Sequence, residues 1–230
     1  MPSASSFAIL SSAIIATWVS LSFWKASKSV EKSPWPIAIY LLWIAGTAAL
    51  ANAGGLAVFS PAPFPMIAVL VVGTLLSISF ALSPWGDRIL ESFSLHALIG
   101  FHAFRFLPEF LIWLGFHEGI TPVQMSIEGR NWDIISPITA IAAYFVIKKG
   151  ISTKAVTIAW SALSCALLIN IVTVAILSIP SPFRQFHNEP ANTFVTQFPF
   201  VWLPTIHVTA AIAGQVLVIR KLLKITRKTN

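Results

Sequence analysis

Charged residues are scarce in this sequence. Only 10% of its 230 residues are Asp, Glu, Lys or Arg, against about 25% in soluble globular domains. With 56% hydrophobic residues, a chain of this composition folded in water would leave a large apolar surface uncovered. An ordinary soluble domain is therefore excluded. Cysteine is nearly absent: Cys165 stands alone, which excludes an intramolecular disulfide and leaves the redox compartment unread. The alternating pattern of membrane β-barrel strands is missing. So are a Walker loop, a His-Glu-x-x-His pair and a Gly-x-Ser-x-Gly elbow. The last apolar stretch has no lysine before Lys221, so a retinal-type Schiff base has no nucleophile there. No basic segment precedes the first apolar stretch, which reads as a membrane helix rather than a cleavable leader.

What the chain does contain is a series of continuous apolar runs. They cover about residues 6–24, 36–59, 64–82, 95–116, 132–147, 155–179 and 198–219. A hydrocarbon core of about 30 Å takes roughly 20 apolar residues per helix. In lipid every backbone amide must be paired within its own segment. The expected fold is all-α, an integral membrane bundle of about seven transmembrane helices forming one domain over residues 1–230.

Fifteen basic and eight acidic residues give a formal charge of +7. With the N-terminus outside, Lys25, Lys28, Lys32, Arg88, Lys148, Lys149, Lys154, Arg220, Lys221, Lys224, Arg227 and Lys228 all fall on the inner side. Only Arg130 and Arg184 fall on the outer side. The positive-inside rule then predicts an outer N-terminus and a cytoplasmic C-terminus. This distribution accounts for the basic charge without nucleic acid and names the lipid bilayer as the chain's partner. No pattern reports an oligomeric state.

The fourth run carries the sharpest chemical signal. His102, Arg105 and Glu109 fall within about 60° of one helical face. An isolated charge at that depth costs at least about 2.5–3.5 kcal/mol. Glu109, four residues beyond Arg105, is its expected partner. The pair reads either as a solute site, with Arg105 binding an anion and Glu109 carrying a proton, or as an ion pair that locks helices together. Pro108 frees the carbonyl of Phe104 beside it. Pro204 precedes His207 by three residues, and Pro137 follows Asp133 by about one turn. Asn131 and Asp133 either cap the fifth helix or line the mouth of a cavity.

Two polar loops, residues 117–131 and 180–197, fall outside. The second offers Arg184, His187 and Glu189 as further candidates, with Asn192 nearby. Joined with His117 and Glu118, these suggest a His/Glu metal site, but the spacing matches no compact ligand motif, and no metal is expected. A haem held by His102 and His207 would need both at one depth; their positions along their helices differ, and no cofactor is expected.

Three stretches, FHAFRFLPEFLIW, QMSIEGRNWDIISPITA and NEPANTFVTQFPFVWLPTIHV, resemble an uncharacterised group of small polytopic bacterial inner-membrane proteins. The resemblance covers about the last 140 residues. It implies a bacterial inner (plasma) membrane location and carries no catalytic role.

The leading expectation is recognition or transport of a small polar or anionic solute through an outward-facing intramembrane cavity. His102, Arg105, Glu109, Asn131, Asp133 and His207 would line it. A membrane-embedded enzyme acting on a lipid-like substrate, with carboxylate and histidine groups for acid–base work, is the alternative. A sensor or assembly subunit is a third. Transport predicts that Glu91 and His96 continue the polar track inward; catalysis predicts a blind pocket with a greasy wall.

Overall fold

A computed structural model describes residues 3–27, 35–60 and 64–229. Lys28 and Lys32 lie outside the described residues. Helices α1 (Ala4–Ser27), α2 (Trp35–Asn52) and α3 (Pro65–Leu82) are followed by a short α4 (Pro84–Ser92). The fourth apolar run is a broken rod: α5 (Leu95–Phe101), a 3₁₀ turn (His102–Arg105) and α6 (Phe106–His117). Then come α7 (Ile135–Lys148), α8 (Thr153–Leu177), a π turn (Leu203–Val208) and α9 (Thr209–Thr229). Among the described residues no strand occurs. Six helical segments are long and apolar enough to cross a membrane: Ala4–Ala26, Trp35–Asn52, Pro65–Leu82, Leu95–His117, Thr153–Leu177 and Leu203–Arg227. Ile135–Lys148 is apolar but shorter.

Local chemistry sets the boundaries. Pro65 opens α3 and Pro84 opens α4, each at a position where no amide partner is needed. Ser83 caps α4 by accepting the Trp85 amide, and Ser94 caps α5 by accepting the Ala97 amide. Gly150 ends α7 at φ 75°, a left-handed conformation that favours glycine. Two boundaries depart from the sequence reading. The second run stops at Asn52 rather than near Phe59, because a turn with Gly54 at φ 71° follows it. The last helix runs on to Thr229, since Arg220, Lys221 and Lys224 are tied to α4 and hold its end in place.

Burial separates central from peripheral helices. The spans Leu95–His117 and Leu203–Arg227 are 56% and 50% buried, whereas Trp35–Asn52 is only 11% buried. The broken rod and α9 therefore form the centre, and α2 sits at the rim with Ile39 and Leu42 exposed. In a bilayer such side chains meet lipid rather than water. Two apolar clusters hold the bundle. One joins Ala8, Ala51, Met66, Leu114, Val174 and Val201. The other joins Phe23, Ala81, Leu95, Ile147 and Leu217. The six long spans each reach both clusters, α2 meeting the second through Ile37 and Tyr40, whereas α7 enters only the second, through Ala140, Ala143 and Ile147.

Helix α4 was not expected from the sequence. Its buried face is Gly86, Ile89 and Leu90, and its Asp87 receives both Arg220 and Lys224. The Lys224 ammonium bonded to Asp87, with Arg220 beside it, holds this carboxyl below its ordinary value of 3.8. A carboxyl lowered in the folded state contributes stability above its unfolded pKa, and that contribution is lost as pH falls through its folded-state value. Protection of the α4 amides, corrected for intrinsic exchange, should therefore decline only once pH falls below about 3.8. In Asp87→Asn it should be weaker near neutral pH and lose this acid step. Hydrogen exchange followed across the acid range checks this, and an unchanged acid step in the variant would contradict it.

Candidate functional site

The break in the central rod positions the site. Pro108 cannot donate an amide hydrogen to a turn behind it, and the chain tightens into a 3₁₀ turn just upstream. That turn ends on Arg105, which is 2% exposed. The guanidinium does not reach along its own helix to Glu109. It crosses to the start of α7, where Nε donates to Asp133 Oδ2 at 3.0 Å and Nη2 donates to Asp133 Oδ1. Nη1 donates to Ser164 Oγ of α8 at 2.6 Å. The expected Arg105–Glu109 pair is thus corrected to Arg105–Asp133. An arginine four residues before a glutamate is the weaker of the two helical orders, and the 3₁₀ turn changes the pitch on which that pairing depends. A planar fork also matches a carboxylate face-on, which Asp133 supplies.

Glu109 joins the same network from the other side. Asn131 Nδ2 donates to Glu109 Oε2 at 2.6 Å, and Asn131 Oδ1 accepts the Asp133 amide at 3.0 Å. Ser136 Oγ donates to Asp133 Oδ1 at 3.1 Å. Asp133 is therefore spent on Arg105 and Ser136, and α7 begins without a side-chain cap. Glu109, Asn131, Asp133, Ser136 and Ser164 are each at most 3% exposed. Buried ionic groups persist only when paired and hydrogen-bonded. The loop 118–134 meets that need by carrying Asn131 and Asp133 inward.

Beside this network lies a cavity of about 90 Å³. Arg105, Glu109, Asp133, Asn192 and His207 contribute to its wall; the rest is chiefly apolar, from Ile67 and Leu70 of α3 to Leu168 and Ile176 of α8. The π turn shapes its floor. Pro204 opens that turn, and the carbonyl of Thr205 is taken by the Trp43 indole at 3.0 Å and the Thr209 hydroxyl at 2.7 Å. Irregular backbone at this depth is tolerated where such side chains satisfy it. His207, within the turn, meets Ser12 of α1 through Nε2 at 3.0 Å.

Residues 61–223 match a family described as a domain of unknown function (DUF8737). The chain belongs to that family. No match was found among curated proteins or among solved structures. The span shared with DUF8737 holds every member of the Glu109–Asn131–Asp133–Arg105–Ser164 network, while α1 and α2 precede it.

Of the residues singled out from sequence, Arg105, Glu109, Asn131 and Asp133 come together in this DUF8737 network, and His207 joins them at the cavity wall. His102 does not line the cavity. It is fully buried, with its ring 4.9 Å from that of Trp160 and Nε2 against Gly214. Arg184, His187 and Glu189 do not line it either. Arg184 and Glu189 bond each other across the loop at 3.0 Å, and His187 is exposed. His117 pairs with Glu128, and Glu118 accepts the Ala4 amide. Among the described residues no group of three or more His, Cys, Asp or Glu is arranged to hold a metal. Sequence reasoning missed Ser164, whose hydroxyl completes the Arg105 shell. The signal was the pair Ser161 and Ser164, three apart on one face of α8.

Proposed function

We propose that this chain is a seven-helix membrane protein, with an outer N-terminus and a cytoplasmic C-terminus, that recognises a small solute in the Glu109–Asn192 cavity. The seventh crossing is Ile135–Lys148. At 14 residues it spans only about 21 Å; its C-terminal half packs in the cluster of Phe23 and Leu217 through Ala140, Ala143 and Ile147, and Ser136 at its start joins the buried Asp133 network. Lys148, Arg220 and Lys224 lie at the end shared with Lys25 and Arg88, which supports an inner location for that end. The resemblance in three stretches supports the bacterial inner membrane.

The observation that carries the solute reading is the cavity's composition. It is a largely apolar pocket whose polar wall is a buried carboxyl–amide–guanidinium network. Few convergent polar groups in an apolar concavity are the usual form of a small-molecule site. The test is thermal melting in neutral detergent with a panel of small amines, alcohols and acids. A compound present at a hundredfold excess over its Kd should raise Tm by about 5 °C or more. Ala175→Phe, which places a ring in the cavity wall, should abolish that shift. If no member of the panel moves the wild-type Tm, the reading is lost.

A second reading has its own support. Glu91 is exposed, and His96 is bonded to Ser94 at 2.9 Å and packed against Tyr144. Neither residue extends the network, and the apolar cluster around Leu98 and Ile99 lies between. A one-ended pocket with a greasy wall suits a membrane enzyme acting on a lipid-like substrate, with Glu109 as acid or base. Chemical conversion of a compound that stabilises the protein would establish it.

A further inference from the structure

Two buried polar atoms at the cavity wall are uncommitted. Arg105, the obvious anion receptor, has every nitrogen engaged: Nε and Nη2 serve Asp133, and Nη1 serves Ser164. The Asn131 amide is held by Glu109. What remains is Asn192 Oδ1, buried and without a hydrogen-bond partner, in a side chain 1% exposed. Its orientation is fixed, because Nδ2 donates to the Ala175 carbonyl at 2.8 Å and a flipped amide would oppose two oxygens. His207 Nδ1 is likewise buried and unpartnered, and serves as donor or acceptor according to its tautomer. Glu109 and Asp133 bring two carboxyls to the wall against one guanidinium.

From these atoms we infer that the cavity takes a small organic amine, bound as its ammonium. Its N–H groups would donate to Asn192 Oδ1 and the Glu109 carboxyl, and its short apolar body would lie along Leu70, Leu168 and Ile176. An ammonium answers both needs at once, since it satisfies an orphaned buried acceptor and balances the second carboxyl. A carboxylate or phosphate would meet two carboxyls beside an arginine whose three nitrogens already serve Asp133 and Ser164. The inference replaces the anionic solute expected from Arg105 in the sequence, and it rests on the cavity being a solute site.

A matched set separates the outcomes: n-butylamine, n-butanol and n-butyrate share one apolar body and differ in the head. Binding is measured by calorimetry and Tm shift on the full chain in maltoside detergent. Butylamine should bind wild type at least tenfold more tightly than butanol, and butyrate should bind more weakly than either. Glu109→Gln and Asn192→Leu should each weaken butylamine at least tenfold while leaving butanol within a factor of three. The wild-type comparison stands even where a variant does not fold. Butyrate or butanol binding as tightly as butylamine overturns the amine assignment but keeps the solute site. If none of the three binds, or if butylamine binds Ala175→Phe as well as wild type, the site itself is lost and the assignment with it.

Discussion

Replacing Arg105 with Gln is expected to destabilise the protein by about 3–5 kcal/mol, the usual cost of breaking a buried ion pair from one side. The reason lies in what stays behind. Asp133 would keep only the Ser136 hydroxyl as a side-chain donor, and Glu109 would share the same buried region with it. Arg105→Lys should recover only part of the loss, because an ammonium cannot fork across both carboxylate oxygens and reach Ser164 as well. The decisive comparison is the double variant Arg105→Gln with Asp133→Asn. With neither charge present, its loss should be smaller than the sum of the single losses by more than 1 kcal/mol. Melting of the four proteins in one detergent measures the coupling. Additive losses would mean that the two residues do not act as a pair.

Much of the fold could be read from the chain because a bilayer imposes blunt rules. Continuous apolar runs of the right length must be helices, and their order is the order of the rods. What could not be read were the places where tertiary contact outweighs local pattern. Helix α4 is short and polar enough to pass for a loop, and it exists because Ile89, Leu90 and the Asp87–Arg220 pair dock it on α9. The break at His102–Arg105 has a visible cause in Pro108, yet its consequence, an arginine redirected to a different helix, depends on Asp133 being there to receive it. The network members were legible through cost: charged and amide groups in or beside apolar runs had to be buried and paired. Their partners were not, because i to i+4 spacing describes one helix, and this network joins α6, α7 and α8. His102 shows the opposite failure. It shares the face expected from spacing, but packing against Trp160 and Gly214 keeps it away from the cavity.

Substituting Gly129 with Ala should be as damaging as removing a charge, although Gly129 touches neither carboxyl. A Cβ there would lie 2.1 Å from the Val123 carbonyl oxygen and 2.7 Å from the Gln124 Cα. Both are backbone atoms, so no side chain can swing aside. The turn is held closed by the Gly129, Arg130 and Asn131 amides donating to Ser126 and Gln124 carbonyls at 3.0–3.3 Å. A methyl group must open it, and two and four residues on stand Asn131, bonded to Glu109, and Asp133, bonded to Arg105. Overpacking in a well-filled region costs about 1–3 kcal/mol. Here the displacement also loosens buried charged hydrogen bonds, so the loss should reach about 3 kcal/mol or more. Gly119 supplies the control in the same loop. Its φ is 71°, and an added Cβ meets nothing within 4 Å, so Gly119→Ala should cost only the left-handed strain of about 1–2 kcal/mol. Gly129→Ala should also lose any Tm shift caused by a cavity ligand, and Gly119→Ala should keep it. Equal losses of stability and of ligand response in the two variants would show that the loop does not hold the network in place.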